Sequence, residues 1–174
     1  AFLTPQDPQS KHAWSGSIFF MARALQRHCG VVHMLGPVGY RQYAGKVYNR
    51  LLRLFTGKGY DYSHSISYSR KCARIFQQKL ASKRFDVIVA PAASSGIAYL
   101  ETTVPIVYVS DVTFPLLVNY YPEFTNLITK SLWEGTAIEQ AAINRSSIVV
   151  YASEWAAESA IREVGALRSR IRRI

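Results

Sequence analysis

The residue in this chain of 174 whose setting most invites chemistry is Asp111. It directly follows Pro105-Ile106-Val107-Tyr108-Val109-Ser110, a short β-branched run that reads as a buried strand. In parallel α/β sheets ligands bind beyond the carboxyl ends of strands. A carboxylate there can orient or deprotonate a hydroxyl. An aspartate ahead of a helix is also a common N-cap, and both readings stand at this level.

Two further loops carry small polar residues at predicted helix starts. His12-Ala13-Trp14-Ser15-Gly16-Ser17 precedes an amphipathic helix, so Ser15, Gly16 and Ser17 can offer a close backbone approach and free N–H groups to a phosphate. Ser94-Ser95-Gly96 can line an acceptor or phosphate site, or Ser94 can simply cap its helix. Trp14, Ser94 and Phe114 are candidate pocket residues. The first loop lacks GxGxxG spacing, and no acidic residue ends the second predicted strand. Both absences argue against a dinucleotide-dependent oxidoreductase.

These loops need a scaffold, and the periodicity supplies one. Ala1 to Thr4 and Val31 to Leu35 read as short strands, with His33 expected as a packed residue. Asp86 to Pro91, Pro105 to Ser110 and Ser147 to Ala152 read as near-continuous apolar strands. Helical spacing follows Gly16 (Ile18, Phe19, Ala22, Leu25), and recurs over 41–55 (Tyr43, Val47, Leu51, Leu54, Phe55), through Arg70 to Lys83, and over Phe124 to Ile143. Ser153 is the expected N-cap of a last helix. Alternating strands and helices predict an α/β, Rossmann-like three-layer domain with a mostly parallel sheet. The expected boundaries are 1–165 for the domain and 166–174 for a basic C-terminal tail.

Charge is regional. Residues 1–40 carry +2, 41–84 carry +10, 85–161 carry −6 and 162–174 carry +4. The basic quarter holds eleven Lys or Arg and a single acid, a distribution that suits a solvated face, nucleic acid or an anionic membrane surface. No nucleic-acid motif accompanies it, so nucleic acid is the least expected of these partners. Cys29 and Cys72 have no neighbours at metal-ligand spacing and are expected as reduced structural thiols. Ala1 to Thr4 runs into Pro5 without the pattern of a secretory signal. The expected setting is cytoplasmic, with peripheral membrane contact as a further expectation.

In order along the chain, Trp14-Ser15-Gly16-Ser17, Ser110-Asp111-Val112-Thr113-Phe114, Asn119-Tyr120-Tyr121, Ile138-Glu139 and Ser153-Glu154-Trp155-Ala156-Ala157 resemble the N-terminal half of family 4 retaining glycosyltransferases. The resemblance implies the acceptor-side half of a two-domain GT-B enzyme, which moves a sugar from a nucleotide-diphosphate donor to a hydroxyl with retention. It implies no metal and no cofactor beyond that donor substrate. Ser15, Gly16 and Ser17 would approach the donor diphosphate. Asp111 would face the reaction cleft, with Trp14, Ser94, Ser95, Gly96 and Phe114 on the acceptor side. The donor-binding C-terminal domain expected of such an enzyme lies outside these residues, so the chain alone is expected to be inactive. The alternative is a non-catalytic basic binding module.

Overall fold

The structure is a computed structural model that describes residues 1–39 and 43–174. Arg41, and the side chains of Tyr43 and Lys46, fall outside what it describes.

Four parallel strands form the sheet in chain order: β1 (Ile88–Pro91), β2 (Ile106–Ser110), β3 (Ile148–Tyr151) and β4 (Ile171–Arg173). Ile88 pairs with Ile106, Val107 with Ile148 and Val149 with Ile171. The first predicted strand extends this sheet through Phe2, which bridges Val89 on one side and Met34 on the other, both in parallel. Backbone bonds from Leu3 N–H to the Val89 carbonyl (2.8 Å) and from Leu35 N–H to the Phe2 carbonyl (2.9 Å) complete the pairing. The expected second strand, Val31 to Leu35, therefore contacts the sheet around Met34 and is otherwise irregular, with Val31 exposed. Spatial order runs Met34, Phe2, β1, β2, β3, β4. It reverses direction between Phe2 and β1, which makes that gap a topological switch point.

Successive strand residues point to opposite faces, and this splits the core in two. Phe2 packs with Ile18 and Ala22 of α1 (Ser17–His28). Leu3 joins the larger cluster with Phe76 of α3 (Ile66–Leu80), Ile97 of α4 (Ser94–Ile97) and Ile138 of α6 (Thr129–Arg145). Helices thus flank an all-parallel sheet, the three-layer α/β arrangement that alternating strands and helices predict. No helix among the described residues is long and apolar enough to cross a membrane.

Several boundaries differ from expectation. The helix expected from Phe124 begins at Thr129, because Pro122–Phe124 forms a 3-10 turn and Leu127 is drawn into a bridge with Gly59. Residues 166–174 are not a tail. Arg168–Arg170 turns into β4, which pairs with β3 and is the true last strand. Its cations suit an exposed edge, where charge discourages further pairing, and Arg168 meets Glu158 of α7 (Glu154–Arg162) at 2.9 Å. The domain boundary at 165 is therefore corrected: the sheet runs on to Arg173. Ser153 caps α7 as expected, accepting from Ala156 N–H. Cys29 is exposed and Cys72 buried, and both are free thiols.

α2 (Tyr43–Thr56) forms where the period predicts a helix, but it is turned over. Val47, Leu51, Leu54 and Phe55 are exposed, whereas the inner side presents Gly45, against which Tyr62 packs, and Asn49, whose side-chain Oδ1 accepts from Tyr60 N–H at 2.8 Å.

Candidate functional site

The carboxyl ends of the strands open into a cleft of about 380 Å³. Its walls come from the loop after Phe2 (Gln6, Trp14), the turn after β1 (Ala92, Ser94), the turn after β2 (Ser110 to Val112), and Glu139 of α6. Phe114 opens α5 (Phe114–Leu117) and forms one wall with Tyr121 and Phe124. His64 closes the remaining side.

Asp111 is exposed at the mouth, and its carboxylate accepts a hydrogen bond from the Trp14 indole N–H at 3.0 Å. It is not a helix cap: Thr113 holds the N-cap position of α5. Residues 97 positions apart that sequence reasoning singled out separately thus meet across the switch point. Trp14 reaches Asp111 from an unusual turn in which Trp14, Ser15 and Gly16 all have positive φ (48°, 53° and 86°). Glycine tolerates this conformation, whereas each non-glycine residue in it costs about 1–3 kcal/mol. From this turn the indole reaches Asp111 at the cleft mouth.

Ser15, Gly16 and Ser17 are not among the cleft-lining residues. Ser15 and Ser17 are exposed, and Gly16 is buried against the Lys11 carbonyl and Phe20. Of Ser94, Ser95 and Gly96, only Ser94 lines the cleft, and it is not a cap, since Ala93 occupies that position. Ser95 is tied into the fold, donating to the Ser63 carbonyl at 2.6 Å while its own carbonyl accepts from the Ser69 hydroxyl at 2.7 Å. Gly96 provides close packing: an added Cβ would press on Leu3 and Phe76. The acceptor-side assignments of Ser95 and Gly96 are therefore corrected to structural ones.

The floor of the cleft holds groups that sequence reasoning did not assign. His64 Nδ1 lies 2.5 Å from the Asp61 carboxylate, and both side chains are largely buried. Asp61 also accepts from Ser63 N–H at 2.9 Å, and Asp61 N–H donates to the Ser131 hydroxyl at 2.9 Å. Two residues of α6 thereby clamp this segment, because Glu134 accepts from the Tyr60 hydroxyl at 2.5 Å. Gly135, next on α6, leaves room for the Phe114 ring, which an added Cβ would strike. Phe114 and Phe124 in turn flank the His64 ring, at 5.1 and 5.8 Å between centroids.

Burial disfavours the imidazolium, but the Asp61 hydrogen bond and charge, with the charge of Glu139, outweigh it and hold the His64 pKa above its ordinary value. Burial likewise works against the Asp61 carboxylate, and hydrogen bonds from His64 and Ser63 bring its pKa below the ordinary range. Glu139 is almost fully buried. Burial pushes its carboxyl up to about 7, against the opposing pull of His64 and of hydroxyls on Tyr108, Ser94 and Tyr151. The Tyr108 hydroxyl donates to Glu139 at 3.0 Å. Tyr151 lies near enough for Glu139 to raise its pKa, yet its buried hydroxyl makes no hydrogen bond of normal geometry.

Tyr108 and Tyr151 share one face of the sheet, since Tyr108 pairs with Val149 and side chains two apart on a strand point the same way. A histidine with one nitrogen anchored on a carboxylate, beside a carboxyl that titrates near neutrality, can hold or pass a proton at a ligand hydroxyl. The apolar wall of Phe114, Tyr121 and Phe124 suits a ligand with a C–H face. Among the described residues no group of three or more His, Cys, Asp and Glu side chains is arranged to hold a metal ion.

Two local features could have marked these residues: the Asp61-x-x-His64 spacing before the Ser65 cap, and Glu139 among the apolar Ile138, Ala142 and Ile143 of α6. Comparison with known proteins assigns nothing further: no family model matches the chain, and neither curated proteins nor solved structures yield a match.

Proposed function

We propose that this chain is the N-terminal, acceptor-side half of a retaining GT-B glycosyltransferase, its cleft taking a hydroxyl-bearing acceptor and a second domain gripping the nucleotide-diphosphate sugar. The observation that carries the reading is the Trp14–Asp111 contact at the cleft mouth. It joins two of the motifs on which the family resemblance rests, at the end of the sheet where α/β folds bind ligands.

In this reading Asp111 orients the acceptor hydroxyl, and Phe114 and Tyr121 stack on the apolar face of a sugar or polyol. His64 and Glu139 exchange a proton with the bound hydroxyl. A cleft of about 380 Å³ falls in the range of small-ligand sites. Ser15, Gly16 and Ser17 sit beside the cleft, at the start of α1, where a donor diphosphate held by the second domain would meet helix N–H groups. The reaction needs that domain, so this chain alone binds acceptor without turnover.

The test is NMR titration of the 15N-labelled chain with a panel of simple glycosides and polyols. The expected result is saturable shifts of the Trp14 indole and the His64 ring, weakened about tenfold or more by Asp111→Asn, the loss expected of a charged hydrogen bond. If no saccharide or polyol moves those signals at millimolar concentration, the acceptor assignment is wrong.

A further inference from the structure

α2 is an amphipathic helix mounted inside out. Globular domains normally turn the apolar stripe of a surface helix toward the core. Here the side toward the protein carries small and polar groups beside the half-buried Leu52: Gly45 against Tyr62, Asn49 bonded to Tyr60 N–H, and Arg53 donating to the Glu123 carbonyl at 3.2 Å. The outward side is apolar, with Leu54 and Phe55 exposed by 76% and 80%, and Val47, Tyr48 and Leu51 about half exposed. Val47, Leu51, Leu54 and Phe55 recur at the i, i+4, i+7, i+8 spacing of a single helical face. A contiguous apolar patch of this kind marks an interaction surface.

Charge identifies what covers it. Arg50 and Lys58 are exposed at the edges of the patch, and no carboxylate occurs between residues 41 and 60. A second copy of the chain docking through the same patch would bring like charges face to face. Nucleic acid would accept the cations but leave Leu51, Leu54 and Phe55 unsatisfied. An apolar face bordered by Lys and Arg is instead the pattern of a helix lying in the plane of a lipid interface. From these observations we infer that the outward face of α2 docks on an anionic membrane, with Leu51, Leu54 and Phe55 entering the headgroup boundary and Arg50 and Lys58 meeting lipid phosphates.

This inference does not rest on the glycosyl-transfer reading. The inner side of α2 does, however, pack on Tyr62, in the 3-10 turn Tyr62–His64 that carries the cleft histidine, so docking would bring the cleft close to the lipid surface.

The test is co-sedimentation of the full chain with vesicles of phosphatidylcholine alone, and with vesicles one third phosphatidylglycerol. Binding is expected to the anionic vesicles and to fall steeply with added salt. Arg50→Gln with Lys58→Gln should weaken it about thirtyfold, from two cations at an anionic surface. Leu54→Ser with Phe55→Ser should weaken it on the order of a hundredfold, from the apolar area no longer inserted. All four side chains are exposed, and an unchanged circular dichroism spectrum verifies that each variant folds. Absence of binding at low salt, or binding that survives both pairs of substitutions, overturns the inference. So does a chain that ignores vesicles but forms a dimer dissociated by Leu54→Ser with Phe55→Ser, or one that binds oligonucleotide in place of lipid.

Discussion

Replacing Glu139 by glutamine should make the protein gain stability relative to wild type as pH rises through neutrality, although it removes a group from the candidate site. The glutamine carbonyl can still accept the Tyr108 hydroxyl, which donates to Glu139 at 3.0 Å, so the change removes the titration and keeps the contact. Burial carries the Glu139 carboxyl from its ordinary 4.5 up to about 7. Between those values the folded protein holds a proton that the unfolded chain has released, so stability falls as pH rises through the window and levels off above it. The full span corresponds to about 3 kcal/mol. His64 acts in the same direction: its raised pKa contributes stability that is complete below about 6.5 and lost as pH rises through the folded value. Asp61 acts oppositely at the acid end, because its lowered pKa contributes stability that disappears as pH falls through the folded value. Wild-type stability should therefore peak on the acid side of neutrality. Guanidinium unfolding followed by tryptophan fluorescence at pH 4, 5, 6, 7 and 8 measures this directly. Relative to their difference at pH 4, Glu139→Gln and wild type should separate by less than about 1 kcal/mol at pH 5 and by about 3 kcal/mol at pH 8, with the variant gaining. A wild-type stability that holds level or climbs from pH 5 to 8, or a variant curve parallel to it, would refute the burial argument.

Three other changes probe the same neighbourhood. Tyr151→Phe removes a buried hydroxyl that makes no hydrogen bond of normal geometry but helps hold the Glu139 carboxyl down, so the Glu139 carboxyl should titrate at higher pH in the variant; an unchanged NMR titration would mean that the hydroxyl does not act on Glu139. Gly135→Ala forces the Phe114 ring off α6 and should cost about 1–3 kcal/mol while shifting the His64 ring resonances, and a neutral melt with unmoved resonances would contradict the packing described. Asp61→Asn withdraws the carboxylate from His64 Nδ1, so an NMR titration should show the His64 pKa falling below its wild-type value; an unchanged titration would show that Asp61 does not hold the ring.

The sequence by itself determined the layered scaffold and the address of one carboxylate at the mouth of the cleft. Runs such as Ile106 to Ser110 are too short and too β-branched for buried helices, and their alternation with amphipathic segments leaves few arrangements other than a covered parallel sheet. Asp111 was legible because strand ends in that architecture are where ligands bind, and the Ser153 cap because its hydrogen bond is local. Tertiary structure decided the rest. Asp61, His64, Tyr108 and Glu139 lie on three separate segments, and the packing of both the Tyr60–Ser65 stretch and β2 on α6 draws them together. Helical periodicity revealed the stripe on α2 but not its direction, because an amphipathic pattern specifies two faces and leaves to the neighbours which one turns inward. Gly45 and Asn49 made that choice here. The arginine-rich end read as a tail because exposed edge strands carry little apolar signal, and only the open edge of β3 drew Ile171–Arg173 into the sheet.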